Sequence, residues 1–319
     1  MMQTTNGRAV SGDSGIAAVA PASRARRRLS WLRGDRALAV LVLSPSIIAV
    51  AVFIYSFILW SFYISTVKWN DFVPNYTFVG LENWITIFSD SRFLTDLRNL
   101  VLYAAGFMSQ CIILGFILAV LIDQKITGES IFRTIFIFPF AVSGIVTGVA
   151  WRWLMRPEAG LNLLFHSVGL DFLRSPWYTD PNTGILAVSV AGAWQFSGYV
   201  MALYLAALRG ISNDLREAAA IDGCNTFNLY RYVIVPLLTP TTFTAIVLTG
   251  MGSIRVFDIP AVIGTGAAFG ADAMANYMFT LTFTSLKYAL GATIASVMIL
   301  LSAFLVVPYL LSMRREAEQ

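Results

Sequence analysis

The sequence predicts an all-α polytopic membrane protein with six transmembrane helices, and three observations lead there. Apolar residues make up 57% of the 319 residues and charged residues only 13%. Mean hydropathy is +0.70, and this composition does not suit a soluble domain of that length. Six apolar stretches are each long enough to cross about 30 Å of hydrocarbon as helices. Lys and Arg collect on alternate loops, as membrane insertion requires.

In chain order, residues 1–36 are polar, small and basic, with little to bury, which predicts a disordered basic cytoplasmic tail. Arg26-Arg27-Arg28 precedes an apolar run. That run is too long for a leader's apolar core and lacks an Ala-x-Ala site at the right distance, so the arginines read as topogenic charge. The membrane-embedded body over 37–313 then holds spans near 37–63, 99–122, 134–154, 185–208, 237–257 and 288–313, and 314–319 forms a short cytoplasmic tail. Pro139, Gly144 and Gly148 interrupt the third span. Such breaks are tolerated where they face protein or a cavity, and Gly144-x-x-x-Gly148 equally suits close helix packing. In the loop over 155–184, Leu161, Leu164, Phe165, Val168 and Phe172 have helix-like spacing. They fit a short helix on the membrane surface or a contact for a docked protein. Gln195 and Tyr199 share a face of the fourth span. Thr249, Ser253 and Phe257 form a similar stripe on the fifth, whose end is crowded by Arg255 and Asp258. Amide and hydroxyl groups beside aromatic rings suit a sugar, with its many hydroxyls and apolar ring face. They suit interhelical hydrogen bonds equally well.

With the N-terminus inside, fourteen of the 22 basic residues fall on cytoplasmic segments, among them Arg24, Arg33, Lys125, Arg133, Arg209, Arg216, Arg231 and Arg314. Both termini and the loop over 209–236 are therefore expected in the cytoplasm. The net charge of +4 is spread along membrane flanks and calls for no nucleic-acid partner. Cys111 lies within a span and Cys224 in the 209–236 loop, and neither place favours a disulfide.

That loop is the most informative segment. Ser212-Asn213-Asp214 offers N-caps, Asp214 and Glu217 have capping-box spacing, and Leu215 to Asp222 is rich in helix formers. Gly223 can end the helix in the left-handed conformation, and Asn225 or Thr226 can cap a second helix leading to Pro236. The pattern is helix, glycine turn, helix, with small side chains that let another protein approach. Glu217, Ala218, Ala219, Asp222, Gly223 and Pro236 resemble the EAA loop of ABC-importer permeases, with Cys224 in place of the usual Ala and Tyr230 of a frequent Phe.

Other segments extend the resemblance from about residue 30 to 312. Phe78-Val79-Gly80-Leu81-Glu82-Asn83-Trp84, Phe132-Arg133-Thr134-Ile135-Phe136 through Pro139, and Trp151-Arg152-Trp153 look like segments of carbohydrate permeases. Phe257-Asp258 is similar to their FD…TGGGP region, although the glycine cluster is reduced to Gly264-Thr265-Gly266-Ala267. The resemblance implies a six-helix core, a second homologous permease subunit, two cytoplasmic ATPase subunits and an extracytoplasmic solute-binding protein. It makes Glu217, Ala218, Ala219, Asp222 and Gly223 the ATPase-coupling residues. By resemblance to maltose-type permeases, Tyr199 matches a solute-contacting aromatic position, and Thr249 and Ser253 lie where polar contacts occur. Gln195 and Phe257 complete the expected solute path.

The chain contains no G-x-x-x-x-G-K-[ST], and none of its three lysines follows a glycine, so no P-loop for ATP is present. The lone histidine, His166, excludes an H-E-x-x-H zinc site and reads as a surface residue. Intramembrane carboxylates are nearly absent, and Asp123 and Asp258 at span ends read as solvated. The expected protein is a permease subunit of an ATP-driven sugar importer in a prokaryotic plasma membrane, with ATP and Mg on its partner ATPases and no cofactor in this chain. The competing expectation is a self-sufficient secondary carrier or channel.

Overall fold

The computed structural model describes residues 39–124, 126–264 and 270–317. The expected tail over 1–36, Lys125, the cluster at Thr265-Gly266-Ala267 and residues 318–319 lie outside the described residues. The chain divides into two units at Phe57/Ile58. Helix α1, Ala39–Ile64, begins in the first unit, where a π turn spans Ala51–Tyr55 and apolar side chains such as Val40 and Phe53 are exposed, as suits a lipid-facing helix.

The second unit is helical, with one isolated bridge between Val67 and Phe78. Asn83, in α2 (Glu82–Phe88), donates from Nδ2 to the carbonyls of Ser65 and Val67 at 3.0 and 2.9 Å. The Gly80–Trp84 segment therefore staples the turn after α1, and its polar residue is spent on backbone.

The second span, expected at 99–122, begins two turns earlier, as α3 over Ser91–Asp123. Asp90 caps it by accepting from the N–H groups of Arg92 and Phe93. Hydropathy missed those turns because they carry Arg92 and Asp96. Arg92 pairs with Asp272 at 2.6 Å and lies over the Tyr277 ring.

The third span, expected as one helix over 134–154, is two helices bent by 98°: α4 (Glu129–Ala141) and α5 (Gly144–Leu154). The proline at 139 removes a backbone donor, and Val142 turns extended, with φ −77° and ψ 139°. After α5 comes α6, Gly160–Ser167, which carries Leu161, Leu164 and Phe165. Gly169 at φ +74° ends this stretch, so Phe172 sits in a separate turn at Asp171–Leu173 and not on the expected helix. On the surface, His166 Nδ1 donates to Asp171 Oδ1 over 2.9 Å. That bond is the main reason the Asp171 carboxyl sits below its usual range.

The fourth span, α7 over Gly184–Gly210, is the central element. Its residues Val188, Val200, Met201 and Tyr204 join Tyr103, Phe107 and Cys111 of α3 in the main core. Small residues set the spacing: a Cβ at Gly115 would stand 2.7 Å from Val200 Cγ1, and one at Gly192 2.5 Å from the Tyr103 hydroxyl. Such backbone approach is how helices associate where lipid removes the hydrophobic drive.

The 209–236 loop leads into the fifth span. The helices α8 (Asn213–Ile221) and α9 (Thr226–Leu229) occupy the loop, and α10 covers Thr239–Ile254. The span unwinds at Arg255–Phe257 and resumes as α11, Asp258–Ile263. Gly144 and Gly148 of α5 pack on α11, where their absent side chains leave room for Asp258 and Val262. Both readings of that glycine pair hold, since it packs on α11 and Gly144 also borders a cavity. Helix α12, Met274–Phe279, precedes the sixth span, α13 over Tyr288–Ala317.

A test of this packing uses Gly198, whose Cβ would overlap the Phe136 carbonyl of α4. Gly198→Ala is expected to cost about 1–3 kcal/mol through overpacking and to lower the melting temperature in detergent. Gly210→Ala, with nothing within 4 Å of its added methyl, should leave it near the parent value. Equal melting temperatures for both would contradict the close α4–α7 approach.

Candidate functional site

The 209–236 loop folds as a helical hairpin, and its backbone explains why. Helix α8 starts at Asn213, which puts Asp214 inside the first turn and not at the cap. The expected Asp214–Glu217 capping box is thereby displaced, and the Asp214 charge instead faces the positive end of the helix. At the other end, Gly223 adopts φ +75°. The N–H of Cys224 reaches back to the Ala219 carbonyl at 2.9 Å, and that of Asp222 to Ala218 at 3.0 Å. The six-to-one closure over a left-handed glycine is a Schellman turn. Asn225 then caps α9, its Oδ1 accepting from the Asn228 N–H at 2.8 Å. A π turn over Tyr230–Ile234 and a short turn at Val235–Leu237, containing Pro236, lead to α10.

The two faces of the hairpin differ. On the inner face, Arg216 donates to Asp123 Oδ2 at 2.8 Å and to the Leu208 carbonyl at 3.3 Å, tying α8 to the ends of α3 and α7. The Asp123 side chain is only 9% exposed, so it is a partnered carboxylate and not the solvated span end expected from sequence. The sequence alone assigns neither residue this role. The available signal was an acid closing one span and an arginine in the middle of a loop helix. Tyr230 packs edge-on to Phe116 nearby, and burial raises its phenol above the ordinary value. Glu129 accepts from Arg209 at 2.6 Å and from Arg133, joining α4 to the end of α7 at the same side. The outer face carries exposed Asp214, Glu217, Ala218 and Asp222. Beside them stand Ile221 and Phe227, 85% and 68% exposed. Glu217 has no ion-pair partner among the described residues. An acidic centre rimmed by bare apolar side chains has the composition that protein-contact surfaces share.

A cavity of about 330 Å³ lies between α3, α5, α7 and the unwound segment of the fifth span. Both helix breaks open onto it: Gly144 from the third span, and Arg255, Val256 and Phe257 from the fifth. Irregular backbone at this depth is tolerated where it lines a cavity. Of the expected solute-path residues, Gln195 and Phe257 are in the wall. The Gln195 amide also donates to the Val142 carbonyl at 2.5 Å, satisfying the acceptor that the break leaves free. Tyr199 is not in the wall. Its ring stacks on Phe140 at 5.0 Å and meets the wall residue Phe196 at 5.2 Å. Thr249 and Ser253 do not line this cavity. Both are fully buried, with hydroxyls donating one turn back, to Ala245 at 2.6 Å and to Thr249 at 2.9 Å. Among the described residues no cluster of His, Cys, Asp or Glu could hold a metal ion.

These features agree with what the chain is similar to. It belongs to the family described as binding-protein-dependent transport system inner membrane component, whose pattern matches residues 111–315. A probable ABC transporter permease protein of Pyrococcus horikoshii is 40% identical over 85% of this chain and 94% of its own. The xylose/arabinose import permease protein of Haloferax volcanii is 32% identical over 74% and 75% of the two chains. The trehalose/maltose transport system permease protein of Thermococcus litoralis is 28% identical over 86% and 92%. Among solved structures, a bacterial ABC transporter involved in alginate import matches with TM-score 0.72 at 19% identity, over 92% of this chain and 99% of that one. The fold is therefore that of an ABC-importer permease. The family match begins midway along α3 and contains both the hairpin and the cavity's helix breaks.

The inner anchor is open to test. Arg216→Met should strand the largely buried Asp123 carboxylate, at a cost of about 1–3 kcal/mol, and speed hydrogen–deuterium exchange over 213–229. Adding Asp123→Leu should recover most of the loss. Unchanged exchange in Arg216→Met would mean that the ion pair does not hold the hairpin.

Proposed function

We propose that this chain is the transmembrane permease subunit of an ATP-driven importer for a sugar. It would form half of the translocation path beside a second homologous permease subunit. Two cytoplasmic ATPase subunits would supply the energy, with ATP and Mg bound there, and an extracytoplasmic solute-binding protein would deliver the sugar. The observation that carries this reading is the hairpin's outer face, with Glu217, Ala218, Asp222 and Gly223 exposed and without side-chain partners among the described residues, while Arg216 fixes the inner face to α3 and α7. A carrier that powered itself would have no use for such a surface. Similarity to a xylose/arabinose import permease and a trehalose/maltose transport permease supports the sugar class.

The geometry gives the coupling a route. Movement of an ATPase against α8 would pass through Arg216 to Asp123 and Leu208, at the ends of two of the helices that wall the cavity. Rotation of α3 and α7 would then widen or close the space between the two helix breaks. The basic residues on the hairpin's side support a cytoplasmic hairpin, with both termini on that same side of the plasma membrane.

Topology and coupling are tested together. Cys224, half-buried and free, should react with a membrane-impermeant thiol reagent only in inside-out vesicles, and assembly with the ATPase should protect it. Labelling from the outer face would reverse the orientation. Uptake in proteoliposomes should require the ATPase and ATP, and uptake by this chain alone would establish a self-sufficient carrier instead.

The turn itself should be shape-sensitive. Gly223→Val places a β-branched residue at positive φ and should separate ATP hydrolysis from uptake while the subunit still reaches the membrane. Gly223→Asn, which tolerates that backbone, should retain most uptake. Glu217→Ala should give only a partial defect, because surface ion pairs contribute about 0–1 kcal/mol. Full uptake in Gly223→Val would remove the turn from the coupling route.

A further inference from the structure

The cavity wall holds two charges of opposite sign that the described structure leaves unpaired. Arg255 and Asp258 flank Phe257 where the fifth span unwinds, and both line the cavity. Arg255 makes one long bond, 3.4 Å from Nε to the Met251 carbonyl of its own helix. Asp258 makes no hydrogen bond or ion pair with any described residue, and the two do not pair with each other. Its carboxylate lies over Gly144, where a Cβ would stand 2.8 Å from Oδ2, at the positive end of α5. Charges within a span are costly and are kept there for partners or for function. Both side chains are exposed, and among the described residues neither finds an ion-pair partner.

The surroundings narrow what that partner is. The rings of Phe196 and Phe257 border the same space, offering faces to C–H groups. One Gln195 donor is already engaged at Val142, so the guanidinium is the wall's chief free donor and the carboxylate its chief free acceptor. Their charges cancel, which leaves the cavity without a field to draw in an anion. An acidic solute would also meet Asp258 at close range, where like charges repel strongly.

We infer that Arg255 and Asp258 are solute-contacting, specificity-determining side chains that together select a neutral polyhydroxylated solute over an acidic one. The guanidinium donates to hydroxyl or ring oxygens, the carboxylate accepts from hydroxyls, and the flanking rings cover the apolar face. The inference rests on the sugar reading above and adds the residues and the charge class to it.

The test is saturation-transfer NMR on the assembled permease–ATPase complex without its binding protein, so that only the cavity reports. Maltose, trehalose and xylose serve as neutral probes and galacturonic acid as the acidic one. The unmodified complex should transfer saturation to at least one neutral sugar and little to the acid. Arg255→Met and Asp258→Asn should each weaken the neutral sugar's affinity by roughly tenfold or more, the loss of one charge-assisted hydrogen bond. Asp258→Asn should also raise the signal from galacturonic acid. Melting temperature and basal ATP hydrolysis check that the variants are intact. For a variant that fails this check, Arg255→Lys, which keeps the charge but not the planar fork, reads the same contrast. A neutral sugar bound equally well by the unmodified complex and the intact variants overturns this inference and leaves the sugar reading standing. No neutral sugar bound, together with no sugar uptake in proteoliposomes, removes both.

Discussion

Inside hydrocarbon, a backbone carbonyl without a donor has no water to turn to, and a broken helix creates such groups. The bond from the Gln195 amide to the Val142 carbonyl answers that need at the third-span break. Much else follows from it. It fixes α7 against the corner between α4 and α5, and the bare backbone at Gly198 lets the Phe136 carbonyl come close. With the corner held, α5 leaves at 98° and lays Gly144 and Gly148 on α11. That contact sets Asp258 at the cavity wall and keeps the two helix breaks facing one space. One amide thus supports both the packing and the site.

The other end of the same helices carries a second set of polar ties. Arg216 to Asp123 and Arg209 to Glu129 link the hairpin, α3, α4 and α7. A hairpin attached only through its backbone would bend when pushed. Anchored by a largely buried ion pair, it moves with the helices it touches. In the proposed importer, this difference decides whether work done on the loop reaches the solute.

The helical character and six-span plan were legible because hydropathy reports lipid contact directly. The glycine turn was legible because few residues tolerate φ of +75°, and Asn225 could be named as a cap because its side chain bonds its own local backbone. Sequence failed where polar residues are satisfied across the fold. Arg92 and Asp96 hid the start of α3, since only a partner some 180 positions away makes Arg92 compatible with it. The third span read as one helix because composition does not report a bend. Thr249 and Ser253 looked like a polar stripe toward a solute, yet a hydroxyl in a helix has the alternative of its own i−4 carbonyl, and both take it. Arg255 and Asp258 were seen only as span-end charges, because the cavity that gives them meaning forms from four separate elements.

The central claim is that ATP bound by partner subunits changes which side of the membrane the cavity faces, through the Gly223 hairpin. Placing a single cysteine at Phe257, with Cys111 and Cys224 replaced, measures this directly by impermeant-thiol labelling from each side of the reconstituted complex. The account predicts that a non-hydrolysable ATP analogue switches the side from which residue 257 is labelled, and that Gly223→Val abolishes the switch. Labelling from the same side with and without nucleotide would contradict it.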